Sequence, residues 1–315
     1  MALTFRPFNP KTEYPAFVEL HNSMYTDSPT TVEETRSFDE RFAADILSNG
    51  VDVRGGVMRS AFWVIRSRLG KNNVRLELYL PPGDSTPTLQ KQLYSAALNA
   101  AKNHSPNAID TRVREDWTAW RNFLEAEGYE ELERQWESRL DITSFDPALF
   151  EGAFAKAEAA GIRFGTLAEL PDNENTQRKL YELITGHLLP SVPFAEPLDI
   201  WDFDTWQKRS WRNPQKLPEA YFLAWDADTI VGMSELYGDP DPKKLSTGLT
   251  AVLNTHRRQG IAMSLKLKGI AFAKNYGATE ISTFNHSNNR PMLAINEALG
   301  FAKDPAWITL RKVMT

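Results

Sequence analysis

The sequence predicts an α/β (α+β) protein built from two similar halves in tandem. Three observations lead there. The chain has 315 residues, long for one domain of ordinary size and comfortable for two. Strand-like alternation and helix-period stripes interleave along its whole length. The order of elements in residues 1 to about 150 recurs in residues 151–315. Gly128-Tyr129 precedes a strand-like stretch containing Trp136, just as Gly300-Phe301 precedes one containing Trp307. Composition is that of an ordinary folded protein, with 42% apolar and 24% charged residues. No apolar run approaches the roughly 18 residues that span a bilayer, and the first residues lack a signal-peptide pattern, so a cytoplasmic protein without membrane association is expected. The absence of cysteine excludes disulfides, thiolate metal sites and a cysteine nucleophile. A net charge of −5 argues against a nucleic-acid binder. The histidines, at 21, 104, 187, 256 and 286, never fall at metal-ligand helical spacing, and no metal is predicted.

In the first half, residues 3–8 are expected as an opening strand. A helix follows from Tyr14, and another from Thr31 to Ala44, opened by a Thr-x-x-Glu capping signal. Residues 57–68 and 73–80 alternate as strands. A helix spans about 88–102, a strand 108–114, a helix 117–127 and a strand 130–142. In the second half, residues 147–160 are alanine-rich and helix-forming. A strand covers 162–167 and a helix 176–189. Residues 198–212 carry Trp201, Trp206 and Trp211. Residues 221–225 and 229–236 form a hairpin around Asp226-Ala227-Asp228.

The most informative stretch is 246–301. Residues 246–253 read as a strand. The basic turn Arg257-Arg258-Gln259-Gly260 follows, and a helix begins at once, with Ile261, Leu265, Gly269, Phe272 and Tyr276 on its stripe and Gly277 as its stop. The first N–H groups of such a helix have no intrahelical partner and carry the positive end of its dipole, which makes an anion site. Gly260 and Ala262 are expected to keep side chains away from a phosphate. A strand at 280–284 and a short helix at 291–299 close the stretch.

Arg257 to Ala262 fits the pattern Gln/Arg-x-x-Gly-x-Gly/Ala, and Leu299-Gly300-Phe301 closes the last helix in the same way as the GNAT superfamily of acyl-CoA-dependent N-acyltransferases. The run 288–301 resembles a tandem-GNAT subgroup, distantly like mycothiol synthase. The resemblance implies two tandem GNAT-like domains, each a mixed, mostly antiparallel sheet flanked by helices. Residues 1–150 would be a degenerate domain without the cofactor loop. There the turn is Pro81-Pro82-Gly83-Asp84-Ser85-Thr86-Pro87, in which proline removes N–H donors and Asp84 repels phosphate. Residues 151–315 would bind the acyl-CoA, most simply acetyl-CoA.

By the same resemblance, Thr250, Ala251 and Val252 pair with the pantetheine arm. The pyrophosphate sits on the amides from Arg257 through Arg258, Gln259, Gly260 and Ile261 to Ala262, and Asn289 hydrogen-bonds pantetheine. The family's usual tyrosine acid is replaced by Asn296, which has no acidic proton at neutral pH. Glu235 is the candidate base, through water, and Tyr237 a weaker candidate acid. Residues 251–279 contain Arg257, Arg258, Lys266, Lys268 and Lys274 without a carboxylate, which suits coenzyme A phosphates. Residues 180–207 contain Glu182, Glu196, Asp199, Asp202 and Asp204 without a cation, which suits a cationic amine or is a solvated helix face. The expected function is transfer of an acyl group to the amine of a small molecule by a monomer or homodimer. A catalytically silent acyl-CoA-binding protein and a protein N-acetyltransferase are the alternatives.

Overall fold

A computed structural model describes residues 3–314. The elements in chain order are α1 (Tyr14–Met24), α2 (Val32–Phe42), β1 (Ile46–Arg54), β2 (Val57–Arg66), β3 (Val74–Tyr79), α3 (Pro87–Lys102), β4 (Ala108–Arg114), α4 (Thr118–Ala126) and β5 (Glu130–Asp141). Next come α5 (Ala155–Ala159), β6 (Ile162–Thr166), α6 (Glu174–Leu183), α7 (Phe203–Trp206), β7 (Lys216–Asp226), β8 (Thr229–Gly238) and β9 (Lys244–Val252). The chain ends with α8 (Ile261–Tyr276), β10 (Glu280–His286), α9 (Arg290–Ala298), β11 (Ala302–Lys303) and β12 (Trp307–Val313). No helix among the described residues is long and apolar enough to cross a membrane.

The chain divides into two compact units. One comprises residues 1–134, 195–199 and 307–315, the other 135–194 and 200–306. These do not coincide with a cut at residue 150. In the first unit the strands run β1-β2-β3-β4-β12, with β3 and β4 parallel and the other neighbours antiparallel. In the second they run β6-β7-β8-β9-β10-β5, with β9 and β10 parallel and the rest antiparallel. Strands β1, β2, β3, β4 and β12 correspond in order to β7, β8, β9, β10 and β5, with the closing strands exchanged, while β6 has only the Arg6–Val51 bridge as its counterpart in the first unit. Residues 135–141 of β5 pair with β10, and β12 pairs with β4 along Trp307 to Val313.

Each closing strand is held by a cluster of charges around one arginine. In the first unit, Arg311 of β12 clasps Asp110 of β4 with Nε and Nη2 at 2.6 and 2.9 Å. Its Nη1 lies 2.5 Å from Glu196, so the short insert 195–199 is tied to the same point. In the second, Arg139 of β5 bonds Glu137, Glu280 and Asp304. Both guanidiniums are raised further above their usual range by these carboxylates, against the opposing effect of burial.

Side-chain alternation gives each sheet two buried faces. In the second unit Phe222 and Ala224 of β7 join the core under α8, with Leu265, Ile270 and Val252. Tyr221, Leu223 and Trp225 join the opposite core, with Leu180 of α6, Trp206 of α7 and Ala251. In the first unit α3 and α4 cover one face through Leu93, Ala97 and Leu124. On the other face α1 contributes Tyr14, Phe17 and Leu20.

Several expectations change. The opening strand reduces to one bridge, Arg6 to Val51, and Phe5 instead packs edge-on against Phe62. Strand β1 was not foreseen. Its signal is the Val51–Val53 alternation ahead of the turn Gly55-Gly56, where both glycines have positive φ. The alanine-rich bridge condenses to a 3₁₀ turn at Pro147–Phe150 and the short α5. Helices α6 and α7 each continue as one π-helical turn, Ile184–Leu188 and Gln207–Trp211. The capping box at Thr31 forms with both of its hydrogen bonds, although α2 stops at Phe42.

Candidate functional site

The site is built on β8, β9 and the turn into α8. Strands β8 and β9 pair regularly except at one point. Ser234 faces Thr250 and Leu236 faces Thr247, so Gly248 and Leu249 together oppose Glu235. The bulge is locked by side-chain chemistry. The Leu249 N–H donates to Glu235 Oε1 at 3.0 Å. A Cβ on Gly248 would lie 2.5 Å from that same oxygen and from Tyr237, so the position admits only glycine without rearrangement.

Glu235 is therefore no exposed strand-edge carboxylate. It is 9% exposed, and burial raises its pKa against the lowering effects of the Leu249 N–H, the Lys216 ammonium and a hydrogen bond with Tyr237. Tyr221 stands opposite Glu235 on β7, and Lys216 opposite Tyr237. These groups share the sheet face that turns away from α8. Lys216, unremarked in the sequence, has its ammonium 3.9 Å from the Trp211 ring centroid and is pushed down to about 8 by burial. A carboxylate of raised pKa beside a lysine of lowered pKa can take a proton at neutral pH.

Strands β9 and β10 pair only from Lys244 opposite Glu280 to Ser246 opposite Ser282. Beyond that point they part. From Thr247 to Val252 the edge of β9 facing β10 has no strand partner among the described residues. Thr250, Ala251 and Val252 all lie on this open edge. Thr250 Oγ1 is 2.8 Å from Ser234 Oγ, while Ala251 and Val252 point into opposite cores.

The edge leads into the turn. His256 Nε2 meets Asp226 Oδ2 at 3.1 Å, which ties the turn to the tip of the β7–β8 hairpin. Arg258 has φ +62° and Gly260 φ +79°. The N–H groups of residues 258–263 have no backbone acceptor among the described residues, and no side chain caps α8. Successive N–H groups around left-handed residues at a helix start form an anion-binding nest. Arg257 and Arg258 are exposed beside it.

One expectation about this turn changes. A Cβ on Gly260 would point at α5, 3.5 Å from Ala153 O and Lys156 Cβ. That is ordinary contact distance, so glycine is required there for its positive φ rather than to clear a path for phosphate.

Asn289 occupies the position just before α9, and its side chain caps nothing there. Asn296 is 2% exposed. Its Nδ2 donates to Asn285 Oδ1 at 2.5 Å, and its Oδ1 has no hydrogen-bond partner among the described residues. The expected basic face of α8 is divided. Lys268 stacks over Phe154 and Phe164, whereas Lys266 is buried. The expected acidic stretch is divided as well. Glu196 and Asp199 belong to the first unit, where Glu196 pairs with Arg311. Asp202 caps α7 through the Thr205 N–H, and both Asp202 and Asp204 are solvent-exposed.

A splayed parallel strand pair, a bulge beside the splay and an uncapped helix start thus stand together. Residues 187–301 match the model of the acetyltransferase (GNAT) family. Among solved structures, the chain is similar to a tandem GNAT protein from the clavulanic acid biosynthesis pathway, with a TM-score of 0.75, 19% identity, and 99% of this chain and 98% of that one covered. It is also similar to a GCN5-related N-acetyltransferase from Sphaerobacter thermophilus, with a TM-score of 0.72, 17% identity, and 99% and 95% covered. These likenesses assign the fold, two GNAT-like units in tandem within the α/β class. No curated protein matches the sequence.

Proposed function

We propose that the chain is an acetyl-CoA-dependent N-acyltransferase whose second unit transfers the acyl group to the amine of a small molecule. The observation that carries this reading is the edge of β9 left unpaired beyond Ser246, which runs in sequence into the uncapped start of α8. Its parts suit the parts of coenzyme A. Thr250, Ala251 and Val252 offer backbone groups to the pantetheine amides, and Asn289 offers a side-chain amide that caps no helix. The N–H groups from Arg258 to Met263 receive the pyrophosphate, with Arg257 and Arg258 adding positive charge. When bound, the thioester supplies an activated acyl group.

The chain's own residues then manage protons and water. Glu235 takes the proton of the acceptor ammonium through water, and Tyr237 and Lys216 hold the carboxylate in place. The face around Glu235 is covered by α6, its π-turn and Trp206, which join Ala251 and Tyr221 in one core. An enclosed face of this kind suits a small amine better than a protein segment. It also shifts the acceptor reading from the acidic stretch to Glu235 and its aromatic neighbours.

In the first unit the corresponding features are closed. The rings of Tyr25, Tyr79, Trp117 and Trp307 pack together beside the β3–β4 pair, with Trp307 stacked 5.9 Å from Tyr25. The Thr86 hydroxyl caps α3 by accepting the Leu89 N–H, and Pro87 begins the helix without a donor. This supports a first unit that keeps the fold without cofactor binding.

The test is a thermal melt with and without acetyl-CoA. A ligand at 100 times its Kd adds about 2.7 kcal/mol of stability, a shift of several degrees. The shift is expected in the wild type and absent in Gly260→Glu. No shift at millimolar acetyl-CoA overturns the proposal. Asn296 favours one second reading, an acyl-CoA-binding protein without turnover. A shift accompanied by no acetyl transfer to amines and no thioester hydrolysis would select it.

A further inference from the structure

Lys266 lies in the second turn of α8 and is 5% exposed. It makes no hydrogen bond or ion pair among the described residues, and its ammonium stands 5.2 Å from the Phe301 ring. The elements packed against it present Ser234 and Leu236 from β8, Thr247 from β9, Ile281 from β10, and Phe301. These residues line a small cavity. Among the described residues, no carboxylate or other titratable side chain lines this space beside Lys266.

Its place in the fold is specific. Thr247 is the first residue of β9 beyond the last position paired with β10. Ser234, on the cavity wall, is hydrogen-bonded to Thr250 of the open edge. The cavity therefore lies at the apex of the splay, on the α8 face of the sheet and away from Glu235. A buried ammonium without a counter-charge is destabilising. A ligand that brings negative charge to the apex would relieve it.

We propose that Lys266 is the proton donor to the sulfur of coenzyme A in acyl transfer. This rests on the acyltransferase reading above. As the amine nitrogen bonds to the carbonyl carbon, the carbon–sulfur bond breaks and its electron pair passes to sulfur. Lys266 gives sulfur its proton, leaving the thiol and a neutral lysine. The proton released by the amine returns to Lys266 through water. Asn296, at the position of the family's usual tyrosine, has no proton to give. Burial also brings the Lys266 ammonium down to about 8, close to the ordinary range of a thiol.

The experiment measures the ionisation of the coenzyme A thiol in its complex with the protein. The chain has no cysteine, so the bound cofactor carries the only thiol. Thiolate absorbance is followed against pH, with the S-methyl-CoA complex as reference, for wild type, Lys266→Met, Lys266→Gln and Lys266→Arg. Binding is measured in parallel by calorimetry. The wild type is expected to lower the thiol pKa by about one unit or more relative to free coenzyme A. Both uncharged variants return it to the free value with affinity changed less than about threefold, and Lys266→Arg retains the depression.

Equal thiol ionisation in wild type and Lys266→Met overturns the proposal while leaving coenzyme A binding intact. Loss of binding in both uncharged variants also overturns it, because Lys266 would then hold the cofactor rather than serve its sulfur. No binding by the wild type overturns the acyltransferase reading together with this one.

Discussion

Two buried ionisable side chains, Glu235 and Lys266, stand on opposite faces of one sheet. Glu235 has a carboxylate with a structural duty, closing the Leu249 N–H, and a raised pKa that fits it as a base. Glu235→Gln keeps an acceptor for that N–H and removes only the titration. Turnover is expected to fall by about a hundredfold or more, with acetyl-CoA affinity unchanged. The acid limb of the wild-type pH–rate profile is expected to be displaced upward by the burial of Glu235 and to vanish in the variant. Unchanged turnover removes Glu235 from the mechanism. Lys266 gives a stability prediction that needs no substrate. Its pKa falls from 10.5 in the unfolded chain to about 8 when folded. Below pH 8 the folded state carries the full cost of a buried ammonium, on the order of 3 kcal/mol, which fades as pH rises from 8 to 10.5. Lys266→Met is therefore expected to be more stable than wild type at pH 7, with the difference shrinking towards pH 10.5. Urea titrations at several pH values measure it, and a pH-independent difference would show that the lysine is solvated.

At the scale of elements, the β8–β9 bulge and the turn into α8 set the shape of the site. Gly248→Ala places a methyl 2.5 Å from the Glu235 carboxylate, so either the bulge or the glutamate must move. A loss of about 1–3 kcal/mol is expected. Turnover should fall with it, while the thermal shift given by acetyl-CoA persists. Much of this element was legible in the sequence. Helix starts and stops are local signals, so the basic turn, the helix after it and Gly277 as its left-handed cap could be read from adjacent residues. The bulge could not, because it depends on which residue of β8 faces which residue of β9. The burial of Lys266 was hidden for a related reason. A count of cations along 251–279 carries no information about which helix face meets the sheet. Lys216 was missed because it lies before the recognised hairpin, and its burial comes from Trp211 and Tyr221.

At the scale of the whole chain, the tandem order could be read from the sequence but the exchange of closing strands could not. Strand β12 carries Trp307, Ile308, Leu310 and Val313 and β5 carries Leu132, Trp136 and Leu140, and neither pattern names the sheet its strand joins. The choice is made by specific partners. Arg311 finds Asp110, which is 1% exposed, and Ile308 and Leu310 fill the core formed with β4 and α3. Arg139 finds Glu280 and Asp304. The last residues of the chain therefore hold together the unit that begins it. Removing residues 307–315 strips β4 of its antiparallel partner and leaves Asp110 as an uncompensated buried charge. Hydrogen exchange should then accelerate across β1 to β4 and α3, while β7 to β10 and α8 stay protected and acetyl-CoA binding survives. The point variant Arg311→Ala should act on the same unit, at a cost of about 3–5 kcal/mol. If the truncation instead exposed β9, β10 and α8 first, the closing strand would belong to the half of the chain that encodes it, and the exchange would be refuted.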